Sequence, residues 1–529
     1  MGPRLRAVVA RGLIMIALAG SATASAQKPG GILRVPIFDN PASMSVHEES
    51  AVAAERAMMG VFNNLVIFDQ HVPQNSEQSI VPDLATGWSW SQNGTMLTLP
   101  LRQGVEWHDG KPFTAADVKC TWDMLVGKSA EKLRVNPRKS WYNNLGDVTT
   151  NGDYEVVFHL KRRQPSFIAL LASGWSPVYP CHVSLRDMRS HPIGTGPFKF
   201  VEFKPNELIR VARNPHYWKN DRPYLDAMEH VIIPNTSTRI LGFIAGKFDL
   251  ITLLLPLLKD VKSQAPQAIC ELAPANASVN LIINRDAPLF DNPEMRRALA
   301  LVLDRKAFIE ILTEGQGEIG GAMLPPPEGI WGMPSETLRT LPGYSPDVQK
   351  NREEARQIIE RLGYGHDKRL AILLTTRNRP VERDPAVVLL SQLKEVYIDA
   401  ELQLVETPQW YPKIMRKDYA VALSTSENSL DDPDQTLYEN YVCNAARNYT
   451  SYCSPEIDKL IDQQSMEADA EKRRLLVWKI ERKLAEDDVQ PVIFYGRFAT
   501  CWQPRVKGIT VMVNSLFNGW RMEDVWLDK

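Results

Sequence analysis

No internal stretch of this 529-residue chain approaches the ~18 consecutive apolar residues that a bilayer-spanning helix takes. The most apolar candidate, residues 251–258, is too short and carries Pro256. Nor is there an excess of either charge. Lys+Arg 61 against Asp+Glu 63 leaves a formal net charge of −2 with the signs interspersed, so the basic face of a nucleic-acid binder is missing. Cysteine is scarce, six in all, and no pair has the CxxC spacing of a zinc finger. Nothing repeats at a period of roughly 20–50 residues, which excludes solenoids and propellers.

Catalytic signatures are absent as well. His47-Glu48-Glu49 lacks the second His that would complete HExxH, and there is no GxSxG nucleophile elbow. Gly315-Gln-Gly317-Glu-Ile-Gly320 fits GxGxxG, but it follows a helical pattern and runs into Pro325-Pro326-Pro327. No helix N-terminus is left there to hold a pyrophosphate. The nine His are scattered, and His108 sits in the turn Trp107-His108-Asp109-Gly110. The residues therefore predict neither an enzyme nor a metal site nor a cofactor.

The chain has the composition of an ordinary globular protein, 44% hydrophobic and 23% charged, and its length suggests two to four domains at ~150 residues each. Its first 26 residues read as a secretory signal. Arg4, Arg6 and Arg11 form a basic region, residues 12–20 a short apolar one, and Ala24-Ser25-Ala26 a small-x-small cleavage site. Cleavage after Ala26 removes three Arg and no acid, taking the formal charge from −2 to −5. Such an address is oxidising, and Cys443 and Cys453, with only a short polar segment between them, are expected to pair. Cys120, on a predicted helix, reads as a buried free thiol, while Cys181, Cys270 and Cys501 stay unassigned.

Strand and helix signals alternate, which predicts a mixed α/β protein. Strands are expected at residues 32–38, 96–101 (continued at 105–107), 154–160, 370–375, 400–405 and 419–423. Helices are expected at 48–64, after Thr114 with Asp117 completing a capping box, after Asn292-Pro293, and at 352–362 and 385–396. A long one is expected at 466–487, with Leu475, Leu476, Ile480 and Leu484 as its buried stripe.

Several longer strings occur in order: Val81-Pro-Asp83-Leu-Ala85, Trp107-His-Asp-Gly110-Lys-Pro-Phe113, Gly194-Thr-Gly196-Pro-Phe198, Arg213-Asn-Pro-x-Tyr217-Trp218, Arg296-Arg297-Ala298 with Asp304-Arg305, Asp432-Pro433-Asp434 and Asn448-Tyr449. In this order the chain resembles the extracellular solute-binding proteins of ABC importers, family 5, the dipeptide, oligopeptide and nickel receptors. The blocks themselves read as scaffold, with Gly194 and Gly196 permitting a backbone bend. The resemblance implies a periplasmic-binding-protein fold of the large, three-domain class II type, two α/β lobes hinged about a ligand cleft. Lobe one would comprise residues 27–70, 188–285 and 500–529, an inserted subdomain 71–187, and lobe two 286–499. The implied function is a monomeric periplasmic receptor that delivers a short peptide or similar amphoteric molecule to membrane permease subunits. A sugar or metal-chelate receptor of the same fold is the alternative, and a secreted hydrolase a remote one.

Peptide-binding members place an acid after a lobe-two strand to receive the ligand amine. Counting forward from the strand, that position is Glu427, followed by Asn428; counting back from Asp432-Pro433, it is Ser429. They also place an Arg after a neighbouring strand to receive the ligand carboxylate, and both Arg377 and Arg379 stand there. Trp331, Trp410 and Trp175 are candidates for stacking on the ligand.

Overall fold

Buried Leu33, Val35 and Ile37 alternate along Ile32–Ile37, the period-two pattern of a strand with one face on a core. The computed structural model, which describes residues 27–427, 429–515 and 518–528, makes this strand the edge of a four-stranded sheet. It runs parallel to Ala227–Ile232, and Leu208–Arg213 and Phe198–Lys204 follow antiparallel. The secretory signal and its cleavage site lie outside the described residues.

A six-stranded sheet has the order Leu250–Leu254, Val492–Trp502, Ile269–Ile283, Val421–Glu427, Leu370–Arg377, Ile398–Val405. Its two longest strands serve both lobes. Residues 269–274 pair with 497–502, and 277–283 pair with 421–427, with a break in register between Pro274 and Ser278. Asn276, within that break, is left-handed at φ 48. The three parallel strands of the second lobe are joined by the helices Pro380–Lys394 and Thr407–Met415, so their C-terminal ends share one edge. A third sheet, Ser89–Trp90, Met96–Pro100, Glu155–Leu160 and Leu145–Thr150, packs on the helix Ala115–Val126. Its apolar core is continuous with that of Leu33 and Val35, whereas Leu437, Tyr438, Ile457 and Leu460 of the second lobe form a separate one. Residues near 520 close the first lobe: the Tyr217 hydroxyl donates to Glu523 at 2.6 Å, and Arg222 meets Asp524 at 2.5 Å.

Several expectations change. The helix expected over residues 48–64 is only Val52–Met58, because the backbone carbonyls of Gly60 and Val61 accept from Phe198 and Gly196 at 2.9 Å each. The backbone bends at residues 195–197, and Gly194 before it has a further role: a Cβ there would stand 2.0 Å from the Val61 carbonyl oxygen, so only Gly permits the approach. Residues 105–107 do not continue a strand. Glu106 instead bridges Pro112 across the tight turn at Gly110 (φ 86), and His108 is held between Gly194 N and Gly196 O. Burial pushes its imidazole down to about 4, so Nδ1 stays an acceptor while Nε2–H donates. Near residue 470 the chain makes two helices, Pro455–Met466 and Ala470–Glu486, the second capped by Asp469. The inward stripe of the second is Arg473, Val477, Ile480 and Leu484. Leu475 lies off it, 62% exposed.

All six cysteines are bonded: Cys120–Cys181, Cys270–Cys501 and Cys443–Cys453. Cys120 is thus no free thiol; the loop that carries Cys181 lies against the Ala115–Val126 helix, where the Cys181 amide donates to Asp117 at 2.9 Å. Cys270 and Cys501 are cross-strand partners. Since Cys443 and Cys453 lie 10 residues apart, the chain-entropy contribution of their bridge is about 2–3 kcal/mol. Cys443→Ser/Cys453→Ser is expected to lower stability by that amount. Denaturant titration checks it, and an unchanged midpoint refutes it.

Candidate functional site

The adjacent parallel strands Leu370–Arg377 and Val421–Glu427 end side by side, so Arg377, Arg379 and Glu427 reach one edge of the second lobe. Arg377 is already consumed there. Its Nε donates to Glu382 at 2.8 Å, one Nη to the Tyr411 hydroxyl at 3.0 Å and the other to Thr425 Oγ1 at 3.1 Å. The guanidinium is 2% exposed and Glu382 fully buried. Burial works against both charges, but the pair outweighs it, raising the arginine and lowering the glutamate.

Arg379 is held more loosely. It stacks over the Phe38 ring at 4.3 Å and lies 3.8 Å from both Asp39 and Glu382, and its side chain makes no hydrogen bond to any described residue. Asp39 follows the strand Ile32–Ile37, so this contact joins the end of the four-stranded sheet to the strand ends of the six-stranded one. Glu427 is partly buried, and among the described residues its carboxylate has no hydrogen bond and no ion pair within 4.0 Å. Burial pushes its carboxyl above the ordinary range, though Arg377, Arg379 and Arg447 pull the other way. A loosely paired arginine and an acid with no partner among the described residues therefore stand just beyond and at the ends of two neighbouring strands.

Across from them lies a second buried set. Arg447 pairs with Glu439 at 2.6 Å, and Glu439 accepts from Trp141 Nε1 at 3.0 Å. Arg138 stacks 3.5 Å over Trp175, donates to the Glu49 carbonyl at 2.9 Å, and faces the buried, unpartnered carboxylate of Glu55. The remaining candidates part company here. Trp410 packs in a core with Ile282, Ile414 and Ala422. Trp331 donates to the Asp431 carbonyl at 2.8 Å beneath the Arg473 guanidinium, in the helical core of the second lobe. Both are buried, and Trp175 holds Arg138. Ser429 gives its carbonyl to Asn518 and Ser515. Asn428 lies outside the described residues. Asp39, Glu55, Arg138, Glu439 and Arg447 were not foreseen; of these only Arg447 carried a sequence cue, its place beside the Asn448-Tyr449 string.

Residues 79–448 match the model of bacterial extracellular solute-binding proteins, family 5. The chain belongs to that family. It is 26% identical over 502 residues, 90% of its own length and 88% of the relative's, to the oligopeptide-binding protein AppA of Bacillus subtilis. Among solved structures it resembles AppA in complex with a nonapeptide, with a TM-score of 0.82 at 24% identity, over 95% of this chain and 100% of that one. It also resembles the periplasmic binding protein AgaA from A. tumefaciens in complex with agropinic acid, with a TM-score of 0.80 at 20% identity over 94% and 99% of the two chains. The fold shared with these proteins is the two-lobed one of periplasmic receptors.

Proposed function

We propose that the protein is exported, cleaved after Ala26, and works as a periplasmic receptor that binds a short peptide or similar amphoteric molecule and passes it to an ABC importer permease. The observation that carries this reading is the pair left available at the strand ends. Glu427 is placed to receive a ligand ammonium and Arg379 a ligand carboxylate, while Arg377 holds the wall behind them. Closure turns on the two long strands where they cross between lobes, as hinged lobes close around ligands in such folds. The names of the similar proteins, which include an oligopeptide receptor and a complex with agropinic acid, support an amphoteric ligand over a neutral sugar.

Calorimetry with trialanine as the first probe, alongside native mass spectrometry of co-purified ligand, tests this. Glu427→Gln and Arg379→Ala are each expected to lower affinity ~30-fold or more, since each leaves a ligand charge unpaired in a desolvated site, at ~1.4 kcal/mol per decade. Binding within threefold of wild type in both variants sinks the reading.

A further inference from the structure

Asp434, in the Asp-Pro-Asp string, is fully buried and sits where two separate cores meet. Its carboxylate is short of positive charge. The nearest guanidinium, Arg473, is 3.4 Å away and is spent on Asp432, which it grips with two bonds of 2.8 Å. Neutral donors make up the difference, and they come from both sides. From the second lobe, Gln464 and Ser465 donate at 2.5 and 2.9 Å. From the other side, Gln164 Nε2 donates at 2.7 Å and Ser166 Oγ at 2.6 Å. Ser166 precedes the helix Phe167–Ala172, whose Phe167 and Leu170 belong to the core of Leu33 and Val35, not to the core of the Asp434 helix, Pro433–Asn440.

We infer that Asp434 is a positioning residue for ligand capture: a carboxylate of the second lobe whose coordination by Gln164 and Ser166 forms only when the lobes close. It touches no ligand in this role. Opening exchanges those two donors for water, whereas Gln464, Ser465 and Arg473 travel with the carboxylate and stay bonded. The two charge-assisted bonds therefore bias the open–closed balance, and the observed affinity scales with the closed fraction whatever the ligand. Trp141 on Glu439 is a second contact across the same seam. This inference rests on the preceding reading only in taking the closed form as the one that holds ligand.

The test is the double variant Gln164→Ala/Ser166→Ala, which leaves Asp434 and its own lobe intact. With trialanine and dialanine as probes, calorimetry is expected to show both affinities falling about tenfold by a common factor, so that the ratio between the probes is unchanged. Small-angle scattering of the protein as isolated is expected to show a larger radius of gyration than wild type. Should the double variant fail to fold, Ser166→Ala alone is expected to weaken both probes about threefold or more. Affinities within twofold and a scattering curve identical to wild type overturn the inference while leaving the receptor reading intact. A fall for one probe only also overturns it, because that marks a ligand contact. If wild type binds neither peptide, the peptide reading fails, and the scattering comparison alone decides the role of Asp434.

Discussion

Asp83→Ala is expected to destabilise the protein by about 3–5 kcal/mol, the cost of leaving a buried charge without its partner. Asp83 and Arg521 are both fully buried, 3.0 Å apart. The carboxylate also accepts from Asn63 Nδ2 and the Asn64 amide, each at 2.9 Å. Removing it strands a charged guanidinium in a fully buried site, so the loss exceeds that of a surface pair, which is about 0–1 kcal/mol. Burial pushes the Asp83 carboxyl up, but Arg521, Lys219 and the amide donors outweigh it, and the net shift is downward. The sign follows. A carboxyl whose folded value lies below its unfolded value of ~3.9 gives its full stabilisation above that pH and loses it as pH falls through the folded value. The gap between wild type and Asp83→Ala is therefore expected to be constant near neutrality and to narrow below about pH 4. Urea unfolding at several pH values measures it. A gap under ~1 kcal/mol at pH 7 contradicts the buried pair.

Arg377→Ala and Arg379→Ala, two residues apart, are expected to fail in opposite ways. The first leaves the fully buried Glu382 with the neutral donors of Thr425 and no cation nearer than Arg379 at 3.8 Å, and should cost about 3–5 kcal/mol of stability. The second removes a side chain 14% exposed, whose only ion pairs are 3.8 Å long, and should change stability by less than ~1 kcal/mol while abolishing most ligand affinity. Thermal unfolding and calorimetry on the same two preparations separate them. Equal losses of stability, or affinity lost only through unfolding of Arg377→Ala, reverse the assignment of anchor and wall.

Much of the architecture was legible because period and caps are local. The Thr114–Asp117 box, the Asn292 cap and the strands at residues 96 and 155 needed no tertiary information. The helix expected at residue 48 failed for a non-local reason, the hydrogen bonds that Gly194-Thr-Gly196-Pro brings to Gly60 and Val61. Arg377, Arg379 and Glu427 were set at the strand ends by the family resemblance, but which arginine is spent on holding the fold depends on Glu382 and Tyr411, which lie outside those strands. Trp331 and Trp410 are both buried in cores of the second lobe, and a tryptophan in a sequence carries no sign of whether its face meets a ligand or an Ile. Asp39 and Arg138 were invisible, since Asp39 meets Arg379, 340 residues further on, and Arg138 meets Glu49 and Trp175 from other elements of the chain.

That distance has a consequence for synthesis. A growing chain that has reached only residue 500 already contains Asp83, Tyr217 and Arg222, but not Arg521, Glu523 or Asp524, which complete them. Until residues near 520 emerge, Asp83, Tyr217 and Arg222 lack those partners, and the first lobe is expected to stay loosely folded. A polypeptide built this way is expected to stay threadable until residues 521–524 have been made, and to lock once they pair.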